Sequence, residues 1–451
     1  MSNPNSVEPA GEIDERLLAG RPAVVLGVGI VALELSAAVS TFVVSTLLPV
    51  ITRDLAAADQ LAVLVTGSTV GLFTAMSMAS TVLARFGGRA TLTAGLVLSI
   101  AGGAFAAMAE TPWSFAAGRF VAGFASGLIA VFGVSAAIKH LEERIRLRVI
   151  AASTAMWIVP GLVAPIATVG LEHLAGWRWT ILAPIPVALV GRLLVLRAVP
   201  AQAVSAQPRP IRRTLLIPVG VATFVALTQT RLWPLSILGL ALAMFGFAAV
   251  MPPGTLRLRH GAPSALAGLT LFGVGYFGAN SLVTVAFTTG FGSSLAQAGW
   301  ALGAAPVAWA LVTLTIPRLQ DRGLAPSPAA GLSVTAAGVA AVGVLLSSGT
   351  AFPPALVVWA LAGAGVGAAY PTLYLRATTP DNSVDPNALA SAVITTESFG
   401  GLVGSAAGAA VASAPAILGT STQTALSLAY LGLAAALVLA AVAATRSAVS
   451  A

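Results

Sequence analysis

The sequence predicts an all-α protein that crosses a membrane many times. Hydrophobic residues make up 57% of the 451 residues and charged residues only 8%, with a mean hydropathy of +0.93. Soluble domains carry about 25% charged residues. Apolar runs of about 20 residues, the length of a helix that spans a bilayer, recur from end to end. These properties exclude a soluble globular domain.

Fourteen apolar runs, separated by turn-forming residues, predict fourteen spans. Their approximate ranges are 23–48, 61–84, 90–110, 113–138, 149–170, 177–197, 214–230, 232–250, 264–289, 295–316, 327–348, 354–376, 387–413 and 424–445. Residues 1–21 are polar and acidic, and are predicted to form a disordered cytoplasmic tail. The region 214–250 forms either two short spans, the interpretation we favour, or one reentrant hairpin.

The positively charged residues predict the orientation. With the N-terminus in the cytoplasm, 18 of the 23 basic residues fall in inside segments and only three, Arg53, Arg178 and Arg231, fall outside. Such an asymmetry is what the positive-inside rule requires. The net charge of +8 therefore reflects topology and not nucleic-acid binding. We expect a multi-pass protein of the cell membrane with both termini in the cytoplasm.

The sequence argues against metal, cofactor and ATP chemistry. There is no cysteine and there are only three histidines, so thiolate metal sites and disulfides are excluded. Lys139 is the only lysine, and no phosphate-binding loop surrounds it. We therefore expect no cofactor, and we expect a proton gradient to supply energy for any work.

An internal repeat predicts two similar halves. Gly123 and Gly127 in the fourth span match Gly363 and Gly367 in the twelfth, and Gly161-Leu162-Val163 matches Gly401-Leu402-Val403 at the same offset of 240 residues. We predict six-helix bundles at 22–200 and 261–446, joined by a linker at 201–260 with two extra helices. Parallel halves of this kind place a substrate site between them near the middle of the membrane.

Several motifs give the chain its resemblance to a known family. Residues 80–89, Ser-Thr-Val-Leu-Ala-Arg-Phe-Gly-Gly-Arg, are similar to the G-x-L-A-D-R-x-G-R-R signature of the major facilitator superfamily, with Ala84 at the acidic position. Residues 318–323 keep an Asp-Arg pair, and 118–123 resemble the superfamily's R-x-x-x-G pattern. Residues 157–165 resemble an antiporter motif, and Gly176-Trp177-Arg178-Trp179 also recurs in the fourteen-helix drug:proton antiporter branch.

This resemblance implies two bundles that alternate between inward-open and outward-open states. It implies conformational roles for residues in the two loops and in span five: Arg85, Gly87, Arg89, Asp321, Arg322, Pro160, Gly161 and Pro165. The alternative for both loops is that they only anchor the chain at the membrane surface.

Two carboxylates and one arginine within spans are candidates for proton coupling. Glu34 lies about 16 Å into the first span and Glu397 lies near the middle of the thirteenth. Charged groups at this depth are costly and usually functional. The alternative for each glutamate is a structural hydrogen bond to a neighbouring helix. Arg119, which the resemblance ties to proton coupling, is either their counter-charge or a side chain that reaches the outer surface.

Four polar aromatic and amide side chains are candidates for contacting substrate. Tyr276 and Asn280 lie in the ninth span, and Tyr370 and Tyr374 lie in the twelfth. Both helices line the cavity in the fold that the chain resembles. The alternative is that they pack within the bundle, which is how we interpret Trp309.

The sequence therefore predicts a monomeric, proton-coupled exporter of amphipathic or cationic small molecules. The runner-up is a lipid or glycolipid flippase of the same fold, suggested by the strongly apolar bundle. A membrane enzyme is disfavoured because the predicted outer loops are short and hold only isolated acidic residues. A channel is disfavoured because no ring of charges or filter-like repeat occurs.

Overall fold

The computed structural model describes residues 18, 20–142, 145, 148–149, 152, 158–198, 211–230, 232–324, 326–348, 352–379, 386–414 and 419–448. Over these residues the protein is a bundle of helices, and the only β-type pairing is an isolated bridge between Leu18 and Leu141.

Thirteen principal helices form the bundle in the described part of the chain. They are α1 Arg21–Asp54, α2 Leu61–Ala107, α3 Pro112–His140, α4 Ile158–Ala175, α5 Ile185–Ala198, α6 Leu216–Thr228, α7 Ser236–Val250, α8 Ala262–Gly290, α9 Leu295–Asp321, α10 Pro328–Ser347, α11 Phe352–Thr378, α12 Pro386–Ala412 and α13 Thr422–Thr445. Short helical turns at Trp177–Thr180, Ile211–Thr214 and Trp233–Leu235 precede α5, α6 and α7.

Eleven segments of the described chain are long and apolar enough to cross a membrane. Two of them, Leu61–Ala79 and Arg85–Ala107, lie within α2. Val159–Ala175 and Leu216–Thr228 are shorter apolar helices. The chain is thus a multi-pass, all-helical membrane protein.

The second and third predicted spans form one helical element that reverses direction at Gly87. Gly87 has φ 76° and ψ 168°, a conformation that glycine adopts most easily because it has no Cβ. The first arm of α2 runs parallel to α3, with Gly67 against Ala116 and Gly71 against Phe120. The second arm runs antiparallel to α3, with Gly102 against Ala122. The predicted loop at 80–89 is therefore a tight reversal between two helices.

The repeated glycines occupy equivalent packing positions in the two halves. A Cβ on Gly123 would collide with the backbone carbonyl of Ser68 on α2, and a Cβ on Gly363 would collide with that of Ala305 on α9. Such contacts need a residue without a side chain, because the helix backbones touch there.

The next pair of repeated glycines continues the correspondence. Gly127 faces Leu72 on α2, and Gly367 faces Trp309 on α9. The two α2–α3 contacts and the two α9–α11 contacts are therefore related by the repeat found in the sequence.

Helices α6 and α7 form an antiparallel pair that contacts both halves. Gly220 and Gly239 bring their backbones together. The pair packs against α2 and α12. Phe247 of α7 stacks face to face on Phe399 of α12, with ring centroids 4.1 Å apart. The segment thus folds as two short helices beside the seam between α2 and α12.

Candidate functional site

Glu397 lies in the middle of α12 and is bound by a residue of α11. The Tyr370 hydroxyl donates a hydrogen bond of 2.5 Å to Glu397 Oε1. The neighbouring Thr396 hydroxyl donates to the Val393 carbonyl within its own helix. The glutamate is half-buried, so part of its surface stays accessible to a ligand.

Tyr370 belongs to a continuous group of rings that we call the aromatic cluster: Phe272, Tyr276, Trp309, Trp359 and Tyr370. Tyr370 lies 5.1 Å from Trp309 and 5.8 Å from Phe272, measured between ring centroids. Tyr276 lies 5.5 Å from Phe272, 5.9 Å from Trp309 and 5.8 Å from Trp359. All five separations are within the range in which aromatic pairs attract one another; three of the pairs are tilted or edge-to-face and two are stacked.

Several polar atoms of this region have no hydrogen-bond partner among the described residues. They are the Tyr276 hydroxyl, Asn280 Oδ1 and Trp359 Nε1. Tyr276 and Asn280 are four residues apart on α8 and therefore share one face of that helix. Buried polar groups normally find a partner, so these atoms are available to a polar ligand group or to water.

The shape of α8 supports this arrangement. The helix contains two π-helical segments, Gly273–Phe277 and Ala286–Gly290, and Tyr276 lies within the first. Segments of this kind often occur at functional sites, because they shift side chains around the helix axis. Tyr374 lies at the edge of the cluster, 5.7 Å from Tyr370, and is 39% exposed.

Glu34 has a different environment in the N-terminal half. It is half-buried on α1, and no hydrogen bond or ion pair joins it to another described residue. Ser45, eleven residues further on, lies on the same face of α1 because eleven residues complete about three turns. The Ser45 carbonyl accepts a hydrogen bond of 2.6 Å from Thr284 of α8. The face that carries Glu34 is therefore the face that meets the C-terminal half.

Arg119 is buried on α3 and contacts α1. Its guanidinium donates a long hydrogen bond of 3.4 Å to the Ser40 hydroxyl, and its Nε has no partner in the described chain. No ion pair within 4.0 Å joins Arg119 to Glu34 or Glu397, all three of which are described. The side chain is only 6% exposed, so it does not extend to the outer surface. The arginine thus faces the first helix but touches neither glutamate.

The residues of the predicted conformational motifs lie apart from the aromatic cluster. Arg89 donates a hydrogen bond of 3.1 Å to the Leu196 carbonyl at the end of α5. Arg85 is exposed and lies over the Phe86 ring. Asp321 and Arg322 are exposed at the end of α9, and these two described residues form no ion pair with each other.

The predicted antiporter motif lies at a contact between the halves. A Cβ on Gly303 of α9 would collide with the Gly161 carbonyl of α4, and a Cβ on Gly299 would lie 3.0 Å from the Pro165 side chain. Pro160 is buried beside this contact. Glycine and proline therefore allow α4 and α9 to approach closely. Trp157, which precedes the motif, lies outside the described residues.

Sequence reasoning missed one polar cluster at the predicted outer end of the N-terminal half. Asp54 Oδ2 accepts hydrogen bonds from Trp177 Nε1 at 3.0 Å and from Arg178 at 2.7 Å. Arg178 also donates to the Ala109 carbonyl and lies 4.4 Å from the Trp177 ring centroid. The Gly-Trp-Arg-Trp motif was visible in the sequence, but its acidic partner lies 124 residues earlier.

The chain is similar in sequence to proteins that are already known. The Major Facilitator Superfamily profile matches residues 30–409. A Mycobacterium tuberculosis H37Rv protein named "Probable multidrug-efflux transporter" is 28% identical over 413 residues, which cover 81% of this chain and 83% of the relative. The Staphylococcus aureus N315 "Multidrug efflux pump SdrM" is 22% identical over 174 residues, 39% of each chain.

Solved structures share the fold at low sequence identity. An auto-inhibited POT family peptide transporter has a TM-score of 0.68 and 16% identity, and the match covers 93% of this chain and 96% of that one. A D-xylose–proton symporter has a TM-score of 0.60 and 16% identity, with coverage of 92% and 96%. At this identity the likeness shows a shared fold. The chain belongs to the Major Facilitator Superfamily and is a membrane transporter, not an enzyme.

Proposed function

We propose that this protein exports amphipathic, preferably cationic, small molecules in exchange for protons. It works as a monomer in the cell membrane, and its two halves expose the site alternately to each side. The observation that carries the proposal is the Glu397–Tyr370 pair at the edge of the aromatic cluster.

The aromatic cluster and Glu397 together provide what an organic cation requires. Ring faces attract a cation that lies within about 6 Å of the ring centroid, and the attraction strengthens where water is excluded. The Glu397 carboxylate supplies the countercharge, and the Tyr370 hydroxyl holds it in place. The unpartnered atoms of Tyr276 and Asn280 can orient the polar part of an amphipathic ligand.

Exchange follows if Glu397 binds either the cation or a proton. A protonated carboxyl no longer attracts a cation, so proton binding from one side releases the substrate there. Glu34 is the second proton site, because it lies on the face of α1 that meets the other half and has no fixed partner among the described residues. Arg119, two turns from the end of its helix and in contact with Ser40, supplies positive charge near α1.

The relatives support export as the direction and drugs as the substrate class. Their names describe multidrug efflux, and one of them matches most of this chain. No cofactor is needed in this proposal, since the proton gradient provides the energy.

The proposed topology has fourteen spans with both termini in the cytoplasm. The eleven candidate spans, the two shorter apolar helices and α12 together make fourteen crossings. Bundles at 22–200 and 261–446 flank the linker at 201–260, whose two helices each cross the membrane. The segment Trp233–Val250 is long and apolar enough to cross a membrane by itself, which supports two short spans over a reentrant hairpin.

The topology can be tested without background because the chain has no cysteine. Single cysteines at Ala58 between the first two spans and at Gln229 between α6 and α7 are both expected to react with an impermeant maleimide from outside. A cysteine replacing Leu324 after α9 is expected to react only in permeabilised cells. Labelling of Gln229→Cys only after permeabilisation would contradict two full crossings.

Transport can be tested in everted vesicles energised by respiration. We expect accumulation of a fluorescent organic cation, its collapse on addition of an uncoupler, and proton release from the lumen when the cation is added. Glu397→Gln is expected to abolish cation accumulation, whereas Glu110→Gln, on an exposed loop residue, is expected to have no effect. Uncoupler-insensitive uptake would contradict the proposal. Transport of labelled lipid with no transport of cations would favour the flippase instead.

A further inference from the structure

The loop that joins α7 to α8 forms a cleft unconnected with the aromatic cluster. The cleft has a volume of about 320 Å³. Its lining combines apolar residues, including Met251, Pro252 and Leu256, which we call the apolar wall, with two cationic residues, Arg257 and Arg259, which we call the cationic wall. Ala248, which is exposed on α7, also lines the cleft.

The loop has a defined structure that holds this cleft open. The Thr255 side chain is buried and donates a hydrogen bond of 2.8 Å to the Pro252 carbonyl. The amides of Arg257 and Arg259 both donate to the Gly254 carbonyl, at 3.1 and 3.2 Å. The loop is also joined to the end of α13, because the Gly261 amide donates to the Arg446 carbonyl.

Gly254 fixes the position of Arg259. Its φ is +95°, which favours glycine, and a Cβ there would lie 2.9 Å from Arg259 Cγ. The aliphatic part of Arg259 therefore rests on Gly254, and the guanidinium extends beyond it.

The two arginines are unpaired cations. Both are exposed, and within the described chain neither guanidinium forms an ion pair or donates a side-chain hydrogen bond. Arginine is suited to phosphate because its planar group can donate two parallel hydrogen bonds. An anion that carries apolar chains would satisfy both walls of the cleft at once.

The surroundings indicate where such an anion comes from. The face of α7 that leads to the cleft exposes apolar side chains, including Phe245 at 65% and Val250 at 37%. Leu256, within the cleft, is 54% exposed. In the topology proposed above, these residues face acyl chains and the arginines lie at headgroup level, where basic pockets beside helices bind anionic lipid.

We propose that the Met251–Arg259 cleft binds the headgroup of an anionic phospholipid in the leaflet on the cytoplasmic side. The phosphate lies between Arg257 and Arg259, and an acyl chain follows the exposed face of α7. The lipid holds the loop between the extra helices and the C-terminal half. This inference does not depend on which substrate the protein transports.

The test uses the purified full-length protein and native mass spectrometry. We expect the natural chain to retain phosphatidylglycerol in preference to phosphatidylcholine. An arginine at the membrane surface strengthens anionic lipid binding about fivefold, so R257Q/R259Q should weaken retention by about tenfold or more. The control R21Q/R197Q removes two exposed arginines of the same predicted membrane face and should leave retention unchanged.

Two further variants and one competitor keep the test decisive if the glutamine pair is unstable. R257K/R259K keeps both charges and should retain part of the lipid, whereas Gly254→Ala keeps both arginines but displaces Arg259 and should weaken retention. Excess inorganic phosphate should not displace the lipid, because it cannot use the apolar wall. Equal loss in R21Q/R197Q and R257Q/R259Q, equal binding of the two lipids, or displacement by phosphate alone would overturn the proposal.

Discussion

The two halves carry their membrane-embedded glutamates in opposite settings. Glu397 is bound by Tyr370 at the edge of an aromatic cluster, whereas Glu34 has no fixed partner among the described residues. Helix packing within the two halves is nevertheless related, since Gly123 and Gly363 pack alike. Similar helix packing thus holds unlike sites, and we infer that the C-terminal half recognises the substrate while the N-terminal half supplies the second proton site.

The largest effect is expected from removing the charge of Glu34. Glu34→Gln should abolish uncoupler-sensitive accumulation in everted vesicles, because glutamine cannot release a proton. Equilibrium binding of the cation to the purified variant should change less than about threefold, since most recognition lies in the other half. Loss of binding equal to that of Glu397→Gln would break the proposed division between the halves.

The second-largest effect is expected at the two equivalent glycines of the structural repeat. Gly123→Ala and Gly363→Ala should each lower stability by about 1–3 kcal/mol, because the added methyl meets the backbone of a neighbouring helix. Thermal unfolding of purified protein measures this, and the two variants should shift by similar amounts. Gly432→Ala, where a Cβ meets nothing within 4 Å, should be as stable as the natural chain. A large shift for only one of the pair would contradict the structural repeat.

A smaller effect is expected at Tyr370. Tyr370→Phe keeps the ring but removes the hydrogen bond to Glu397, so the apparent KM for a cation should rise about fivefold to tenfold. Neutral amphipathic substrates should be affected much less. Tyr430→Phe removes a hydroxyl that donates to the Ala279 carbonyl and serves as the matched control. An equal rise in KM for cationic and neutral substrates would argue against a countercharge role for Glu397.

The smallest effect is expected at Asp54, whose cluster belongs to the N-terminal half. Asp54→Asn weakens the contact with Arg178, but both side chains are more than 40% exposed. Exposed pairs contribute about 1 kcal/mol or less, so unfolding temperature should fall only slightly. Transport should stay near the natural rate. A marked loss of transport with normal stability would give this outer cluster a role in the conformational cycle.

The fold could be predicted from the sequence because each spanning helix satisfies its backbone hydrogen bonds internally. Each helix therefore appears in the sequence as one apolar run. Glu34 and Glu397 were identifiable for the same reason, as rare charges within such runs. The tight reversal at Gly87 could not be predicted, and we expected a loop there. The feature that makes it a tight turn is the positive φ of Gly87, which is known only from the structure.

Contacts between helices were the part that the sequence could not provide. Tyr370 and Glu397 were both candidates, but they lie on different helices and nothing in their spacing indicated a hydrogen bond. Arg119 was predicted either to be the counter-charge of a glutamate or to reach the outer surface, yet it is buried and donates to Ser40. Trp309 was interpreted as packing, and only the structure places its ring beside Tyr370.

The stack of Phe247 on Phe399 has a mechanical consequence. The α6–α7 pair contacts both α2 and α12. If α2 and α12 move apart, the pair must therefore slide against one of them. The face-to-face rings resist shear on the α12 side. In the alternating-access cycle proposed above, we therefore expect α6 and α7 to move with the C-terminal half and the surrounding lipid to rearrange mainly along α2.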